Sequence, residues 1–470
     1  MTAVESTDQL NATGPAADRL RVSIWRHGLG ATTVGVFAMA FLIAFEGLAV
    51  ATVLPQVAVA LNGMSWYAVA FAAPAAVSVL SLALAGPWMD RRGPGLPLTV
   101  GVSVFVAGLI VAGLAGSMTV FLTGRGLQGF GGGLVGVGIY VLISRVYPEP
   151  ARPRVFAVLS GAWVLPGLVG PYLAAQIAAA VGWRWVFLGV PAIALFALAL
   201  LSRALCSCPG DAAVRLRPST LVWAAAAAGA ILLLAIAGHR TAAGAPVAVA
   251  GFAVLVVIAG SRLLPRGSWT GAPGLPSVIA ARGLQYAGFA AAEAYLPLAL
   301  IEFRGLTPVA AGAVLTASAV SWFAGASLGA HLPVLESQLR RVRIGLALTG
   351  VGGITTLGVL VDAVPFPIVL AGWAIGGVGM GLANPALSVL VLHHAPTSGE
   401  GAASAAAQLN DTLVVALALA LGSVVFAAVL PTDPALAVLL MLLIALALTA
   451  SAWLPVSRIE GARAPAAAPT

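Results

Sequence analysis

Apolar runs of about twenty residues follow one another through almost the whole chain, separated by short polar breaks. A helix crossing ~30 Å of hydrocarbon needs about 20 such residues, and in lipid only helices and closed barrels satisfy their own backbone. The runs are twice the length of the ~10-residue alternating strands of a barrel. We read fourteen spanning helices, over residues 28–55, 67–89, 96–117, 118–145, 154–181, 185–206, 219–238, 246–264, 275–301, 307–330, 342–362, 366–392, 402–430 and 434–455. Composition agrees: 8% of the residues are charged, against about 25% in a soluble domain. The chain is an all-α membrane protein.

The basic residues are all arginine, and they orient the chain. With the N-terminus inside, eighteen lie in inner segments, and only Arg184, Arg240 and Arg304 lie in outer loops. An excess of positive charge in cytoplasmic loops is the expected bias. The net charge of +8 is therefore a topological signal, and no nucleic-acid partner is expected. Both termini are expected in the cytoplasm, with the chain in the cell (plasma or inner) membrane. The first ~22 residues lack the short apolar core of a signal peptide, so span one is read as uncleaved. Cys206 and Cys208 lie at the reducing inner side, where a disulfide is not expected. No metal site is expected from a lone Cys-x-Cys.

Two longer inner stretches, 207–219 and 262–274, flank spans seven and eight. Without that pair, six spans remain on each side, which suggests a duplicated core with an inserted hairpin. The expected organisation is an N-terminal tail over 1–27, a six-helix bundle over 28–206, the hairpin and its linkers over 207–274, a second bundle over 275–456 and a disordered tail over 457–470. Trp66, Trp183, Trp185 and Trp453 fall near span ends and are expected as interfacial anchors. Trp163, Trp322 and Trp373 lie deeper.

Ionisable residues inside apolar spans are costly and mark substrate or ion paths. Glu46, Arg125, Arg282, Glu293 and Asp411 are five such residues. Arg125 lies seven residues from the outer end of its span, or ~11 Å at 1.5 Å per residue, and Glu46 nine, or ~13 Å. Their depths allow them to meet. The protonation state of Glu46 would then differ between a site beside Arg125 and an apolar one, which is what a proton switch requires. Arg282, Tyr286 and Glu293 share one face of span nine, with Arg282 and Glu293 ~16 Å apart along it, too far to pair directly. Asp411 lies about ten residues into span thirteen, where it serves a site or fixes helix packing.

Three motifs resemble the major facilitator superfamily. Between spans two and three stand Gly86, Asp90, Arg91 and Gly93, similar to the family's cytoplasmic latch loop; Asp90 is expected to cap the start of span thirteen near residues 401–404. The loop departs from the pattern at Pro94 and Gly95, where basic residues are usual. Span four carries Arg125, Gln128, Gly129 and Gly131 in the family's Arg-x-x-Gln-Gly-x-Gly arrangement. Span five carries Gly167, Gly170 and Pro171, similar to the antiporter branch, with alanines at two usual glycines. The acid before Leu54-Pro55 and the segment 182–187 resemble the fourteen-spanner drug–proton antiporters. That family usually has Asp where Glu46 stands.

The resemblance implies a major facilitator fold with fourteen helices and alternating access. It implies export of a small organic, amphipathic substrate in exchange for protons, with the proton as coupling ion, no other cofactor and a monomeric chain in the bilayer. Glu46, Arg125 and Asp411 are the expected coupling residues. Glu293, Arg282, Tyr286, Gln128 and Trp163 are expected in the substrate cavity. A proton-coupled importer or a dedicated metabolite exporter would share these features. A receptor would need a sensing domain, and an enzyme would need convergent catalytic groups; neither pattern is found. For topology, a cysteine at Asp433 should react with an impermeant maleimide in intact cells. Reaction at an Arg341→Cys position would overturn the orientation.

Overall fold

The computed structural model describes Trp25 and residues 29–148, 151–206, 208–210, 218–237, 245–331, 337–395 and 400–459. Almost all of both expected tails lies outside the described residues. Within them are fourteen helices long and apolar enough to cross a membrane, and no strand. We number these α1 (Leu29–Ala60), α2 (Tyr67–Arg92), α3 (Gly95–Gly113), α4 (Met118–Val146), α5 (Arg152–Val181), α6 (Val190–Cys206), α7 (Pro218–Ala237), α8 (Ala245–Leu263), α9 (Leu275–Arg304), α10 (Pro308–His331), α11 (Gln338–Thr356), α12 (Phe366–His394), α13 (Glu400–Val429) and α14 (Pro434–Ser451).

Boundaries differ from expectation where local chemistry differs from hydropathy. α1 does not stop at Pro55 but continues to Ala60, with Pro55 buried inside it; helices in a bundle re-satisfy the carbonyl that a proline frees. α2 runs through Asp90 to Arg92, so most of the expected latch loop is the last helical turn. It stops at Gly93, whose φ of 75° favours glycine. Span six is divided into a short helix, Arg184–Leu188, and α6. Trp183 is not an interfacial anchor: it is 7% exposed and packs edge-on against Phe121 and Phe187.

The halves repeat one packing scheme. In the first, α1 packs on α5 and α6, α4 on α2 and α3, and α3 on α6. In the second, α9 packs on α13 and α14, α12 on α10 and α11, and α11 on α14. These are corresponding pairs, so the chain forms two six-helix bundles with α7 and α8 inserted between them. The bundles meet along two seams, α2 with α13 and α5 with α10.

Glycine sets how closely the helices approach, as it commonly does in membranes. A Cβ on Gly131 would lie 2.5 Å from the Phe105 nitrogen of α3, and one on Gly129 would collide with the Pro74 carbonyl of α2. The same device recurs in α12, where a Cβ on Gly379 would lie 2.5 Å from the Gly345 carbonyl of α11.

The inserted hairpin straddles one seam. α7 packs on both α2 and α13, one helix from each half, and α8 packs on α7 and α13. The described linker segments on either side of it rest on the nearer half. After α6, Arg145 of α4 donates to the Pro209 carbonyl at 2.8 Å, and the Cys208 carbonyl closes on Gly93. Between α8 and α9, Arg458 donates to the Thr270 carbonyl at 2.6 Å and Gly271 abuts Pro455.

Gly129→Ala should loosen α2 from α4 and lower stability by about 1–3 kcal/mol, the usual cost of overpacking. Gly136→Ala, whose Cβ would meet open space, should leave the melting temperature in detergent unchanged. Equal effects of the two would count against the close-packed role of Gly129.

Candidate functional site

Arg125 ties together three helices of the first half. Its Nη1 donates to Glu46 Oε1 of α1 and to Gln128 Oε1 one turn along α4, and its Nε donates to the Ala70 carbonyl of α2 at 3.2 Å. Arg125 and Gln128 are buried, and the Glu46 side chain is nearly so. The glycines around Arg125 on α4 let α2 and α3 come close enough to wall the guanidinium off from lipid. A buried arginine in this setting is neutralised by its own pair, as an ion in low dielectric must be.

The second half holds its own pair. Arg282 Nε of α9 stands 2.9 Å from Asp411 Oδ2 of α13, an ion-pair distance without a well-directed hydrogen bond. The neighbouring Asn410 donates to the Ile279 carbonyl at 2.8 Å, and Gly283 leaves room for that amide. Asp411 Oδ1 is buried and unpartnered. Tyr286 lies one turn along α9 from Arg282 and is 37% exposed. Tyr140 of α4 is 44% exposed. Among the described residues, Glu293 is in no ion pair.

Sequence spacing anticipated the Glu46–Arg125 contact but not the Arg282–Asp411 one. The missing signal was the repeat: α9 packs on α13 just as α1 packs on α5, so a charge on each was free to meet. Trp163 of α5 is 52% exposed although it lies opposite the lipid-facing stripe of Leu165 and Tyr172; residues two apart on a helix point ~200° apart. Gly167 packs on Ala319 of α10, Gly170 lies beside Phe45 of α1, and the Pro171 carbonyl lies beside Gly312 of α10. The antiporter-like segment thus forms the α5–α10 seam.

The end of the bundle where α2 begins is closed by aromatic groups that were not singled out in the sequence. Tyr67 of α2, Tyr295 of α9 and Phe426 of α13 are all buried, with ring centroids 5.3–6.3 Å apart. Tyr67 donates across the halves to the Ala294 carbonyl at 2.8 Å. Asp90, expected on α13, is instead 3.3 Å from Arg145 of its own half, with its side chain 57% exposed. The expected cap on α13 is therefore not the contact that Asp90 makes here. Arg91 is exposed, and a Cβ on Gly86 would meet open space.

Two bundles that repeat one packing scheme, each with an ion pair between its own membrane helices, are the architecture of a membrane transporter. The family model described as Major Facilitator Superfamily matches residues 34–419. The chain belongs to the major facilitator superfamily and is a transporter rather than an enzyme. It is 29% identical over 350 residues to a probable multidrug-efflux transporter of Mycobacterium tuberculosis (strain ATCC 25618 / H37Rv), covering 70% of this chain and 73% of that one. It is 26% identical over 171 residues to the multidrug transporter protein MdtP of Bacillus subtilis (strain 168), covering 36% of this chain and 32% of that one. In fold it is similar to an auto-inhibited POT family peptide transporter, with a TM-score of 0.69 at 16% identity over 93% of this chain and 98% of that one. It is also similar to a D-xylose–proton symporter, with a TM-score of 0.67 at 14% identity over 91% and 98%.

Tyr67→Phe removes one buried hydrogen bond between the halves and keeps the ring. A net loss of about 1 kcal/mol corresponds to a roughly fivefold shift toward the outward-open state. Labelling of an Ala294→Cys probe from outside, with Cys206 and Cys208 changed to Ser, should rise accordingly. An unchanged rate would show that the bond does not hold the gate.

Proposed function

We propose that this protein exports amphipathic, mainly cationic organic compounds in exchange for protons, by rocking its two halves about the central interface. The observation that carries the reading is the balance of charge at that interface. Glu46 is matched by Arg125 and Asp411 by Arg282, while Glu293 has no ionic partner among the described residues. A cation bound near Glu293 would complete the set. Trp163, Tyr140 and Tyr286 would supply aromatic faces, which attract cations. The names of the relatives, multidrug-efflux transporters, support efflux as the direction.

In this reading Glu46 carries the coupling proton. Gaining it weakens the pull of Arg125, and the guanidinium then rests on Gln128 and the Ala70 carbonyl. Losing it restores the pair. A membrane potential supplies roughly 2.3 kcal/mol per charge per 100 mV for proton entry. Asp411, with one carboxylate oxygen unpartnered, is the second proton acceptor. The same reading makes Asp90 an inner latch that engages α13 only when the inside closes.

Glu46→Gln keeps a hydrogen-bond acceptor for Arg125 but cannot exchange a proton. In proteoliposomes with an imposed pH gradient it should bind substrate and lose gradient-driven flux by an order of magnitude or more. Full gradient-driven transport by this variant would remove Glu46 from the coupling role. Glu293→Gln should weaken transport of cationic compounds severalfold and leave neutral ones nearly unchanged. An equal loss for both classes would assign Glu293 to structure or coupling. Substrate flux in inverted vesicles separates export from import.

A further inference from the structure

The packing repeat between the halves extends to single residues. Gly124 of α4 lies against Ala112 of α3, and Gly372 of α12 lies against Thr355 of α11. The same spacing carries Gly129, which abuts Pro74 of α2, onto Gly377, which abuts Ser318 of α10. It carries Gly131, which abuts Phe105 of α3, onto Gly379, which abuts Thr349 of α11. In this register Arg125, directly after Gly124, falls on Trp373, directly after Gly372. Measured back from Leu54-Pro55 of α1 and Leu296-Pro297 of α9, Glu46 and Phe289 stand within one residue of the same place. The second half therefore has its own copy of the Arg125–Glu46 site, built without charge. Trp373 stacks on Phe289, with ring centroids 4.7 Å apart and planes 8° from parallel.

Beside this pair, between α9, α11, α12 and α14, lies a small cavity lined by Phe289, Trp373, Thr349, Thr356 and Thr449. It leaves about 10 Å³ to the centre of a water-sized sphere, room for about one water molecule. Trp373 is 2% exposed, and its Nε1 donor has no acceptor among the described residues. A buried donor without an acceptor is costly, and ordered water commonly satisfies such groups. The threonines present the complementary need. Thr349 donates to the Gly345 carbonyl at 2.8 Å, Thr356 to the Gly353 carbonyl at 2.7 Å and Thr449 to the Ala445 carbonyl at 3.1 Å. Each hydroxyl proton is spent within its own helix, and each oxygen keeps a lone pair for an incoming donor. Gly288 preserves the room, since a Cβ there would collide with the Thr449 hydroxyl. The lining offers an anion no cation and a metal no carboxylate. A neutral ligand that both accepts and donates fits it, and the volume selects water.

We propose that this cavity is a binding site for one water molecule, which accepts from Trp373 Nε1 and donates to threonine oxygens of α11 and α14. It joins α12 to its neighbours in the second half at the place where Arg125 joins α4 to its neighbours in the first. No side chain in the lining is acidic or basic, so the joint holds in either protonation state of Glu46. The site is independent of what the protein carries.

A density map of the full-length wild-type protein in nanodiscs, at a resolution that shows ordered water, tests the site directly. It should contain one compact peak about 3 Å from Trp373 Nε1 and from at least one of the three threonine oxygens. An empty cavity, or the elongated density of a lipid tail, would overturn the proposal. A second arm reads the coupling that a shared water imposes. Thr349→Val, Thr356→Val and Thr449→Val keep the side-chain shape and remove the acceptor; each is made with Trp373 and with Trp373→Phe. With Trp373 present, at least one valine variant should lower the melting temperature in detergent by roughly 2 °C. With Trp373→Phe the same change should have a much smaller effect, because the two groups no longer share a partner. Shifts that add for all three threonines would show no shared ligand and overturn the site. Should Trp373→Phe fail to fold, the map of the wild type still decides.

Discussion

The Arg125 guanidinium is the point on which the first half is assembled. One side chain bonds α1 through Glu46, α2 through the Ala70 carbonyl and its own helix through Gln128. Water is scarce there, so each of those donors must find a protein acceptor or leave a costly orphan. The helices are thus held in one relative position by charge rather than by apolar burial, which distinguishes little between a helix and lipid. Removing Glu46 outright would leave a buried cation with neutral partners only, and breaking a buried pair in this way costs about 3–5 kcal/mol.

Strong and weak contacts are divided in a way that suits motion. Both buried ion pairs lie within a half: Glu46 with Arg125 in the first, Arg282 with Asp411 in the second. The described contacts between halves are of a different kind. They include a tyrosine hydrogen bond, an aromatic cluster, apolar packing of α2 on α13 and small residues meeting at Gly167 and Gly312. Glu46–Arg125, Arg282–Asp411 and Asp90–Arg145 each lie within one half, so these charged sites can travel with their bundles. Tyr67 joins the two levels, since its acceptor is the carbonyl next to Glu293.

The spans and the six-plus-two-plus-six arrangement were legible because lipid imposes length and composition directly. Glu46 and Arg125 could be matched because the two depths follow from residue counts alone. Arg282 and Asp411 could not, because depth does not say which face of α9 turns toward α13. Only the packing repeat does, and it is visible through contacts rather than through identities. The outer gate was hidden for a similar reason. Tyr67 opens a helix, and only Tyr295 and Phe426 from the other half show that it is buried. Trp183 misled for a related reason: a tryptophan at a span end reads as an anchor unless neighbouring helices enclose it, as Phe121 and Phe187 do here. Asp90 reads as a cap from its motif, yet its ion-pair partner is Arg145 of its own half.

The inserted hairpin breaks the symmetry that duplication would otherwise impose. Two equivalent halves have two equivalent seams, and a rocking motion exposes both alike. In this chain α7 bridges α2 and α13, one helix from each half, while the α5–α10 seam has no such cover among the described residues. Apolar volume is what α7 needs for this packing. Gly93 is held to a narrower choice: α2 stops there with a φ of 75°, and the Cys208 carbonyl comes close in the same place. The turn from Asp90 to Gly93 thus seats the segment that follows α6 on its own half.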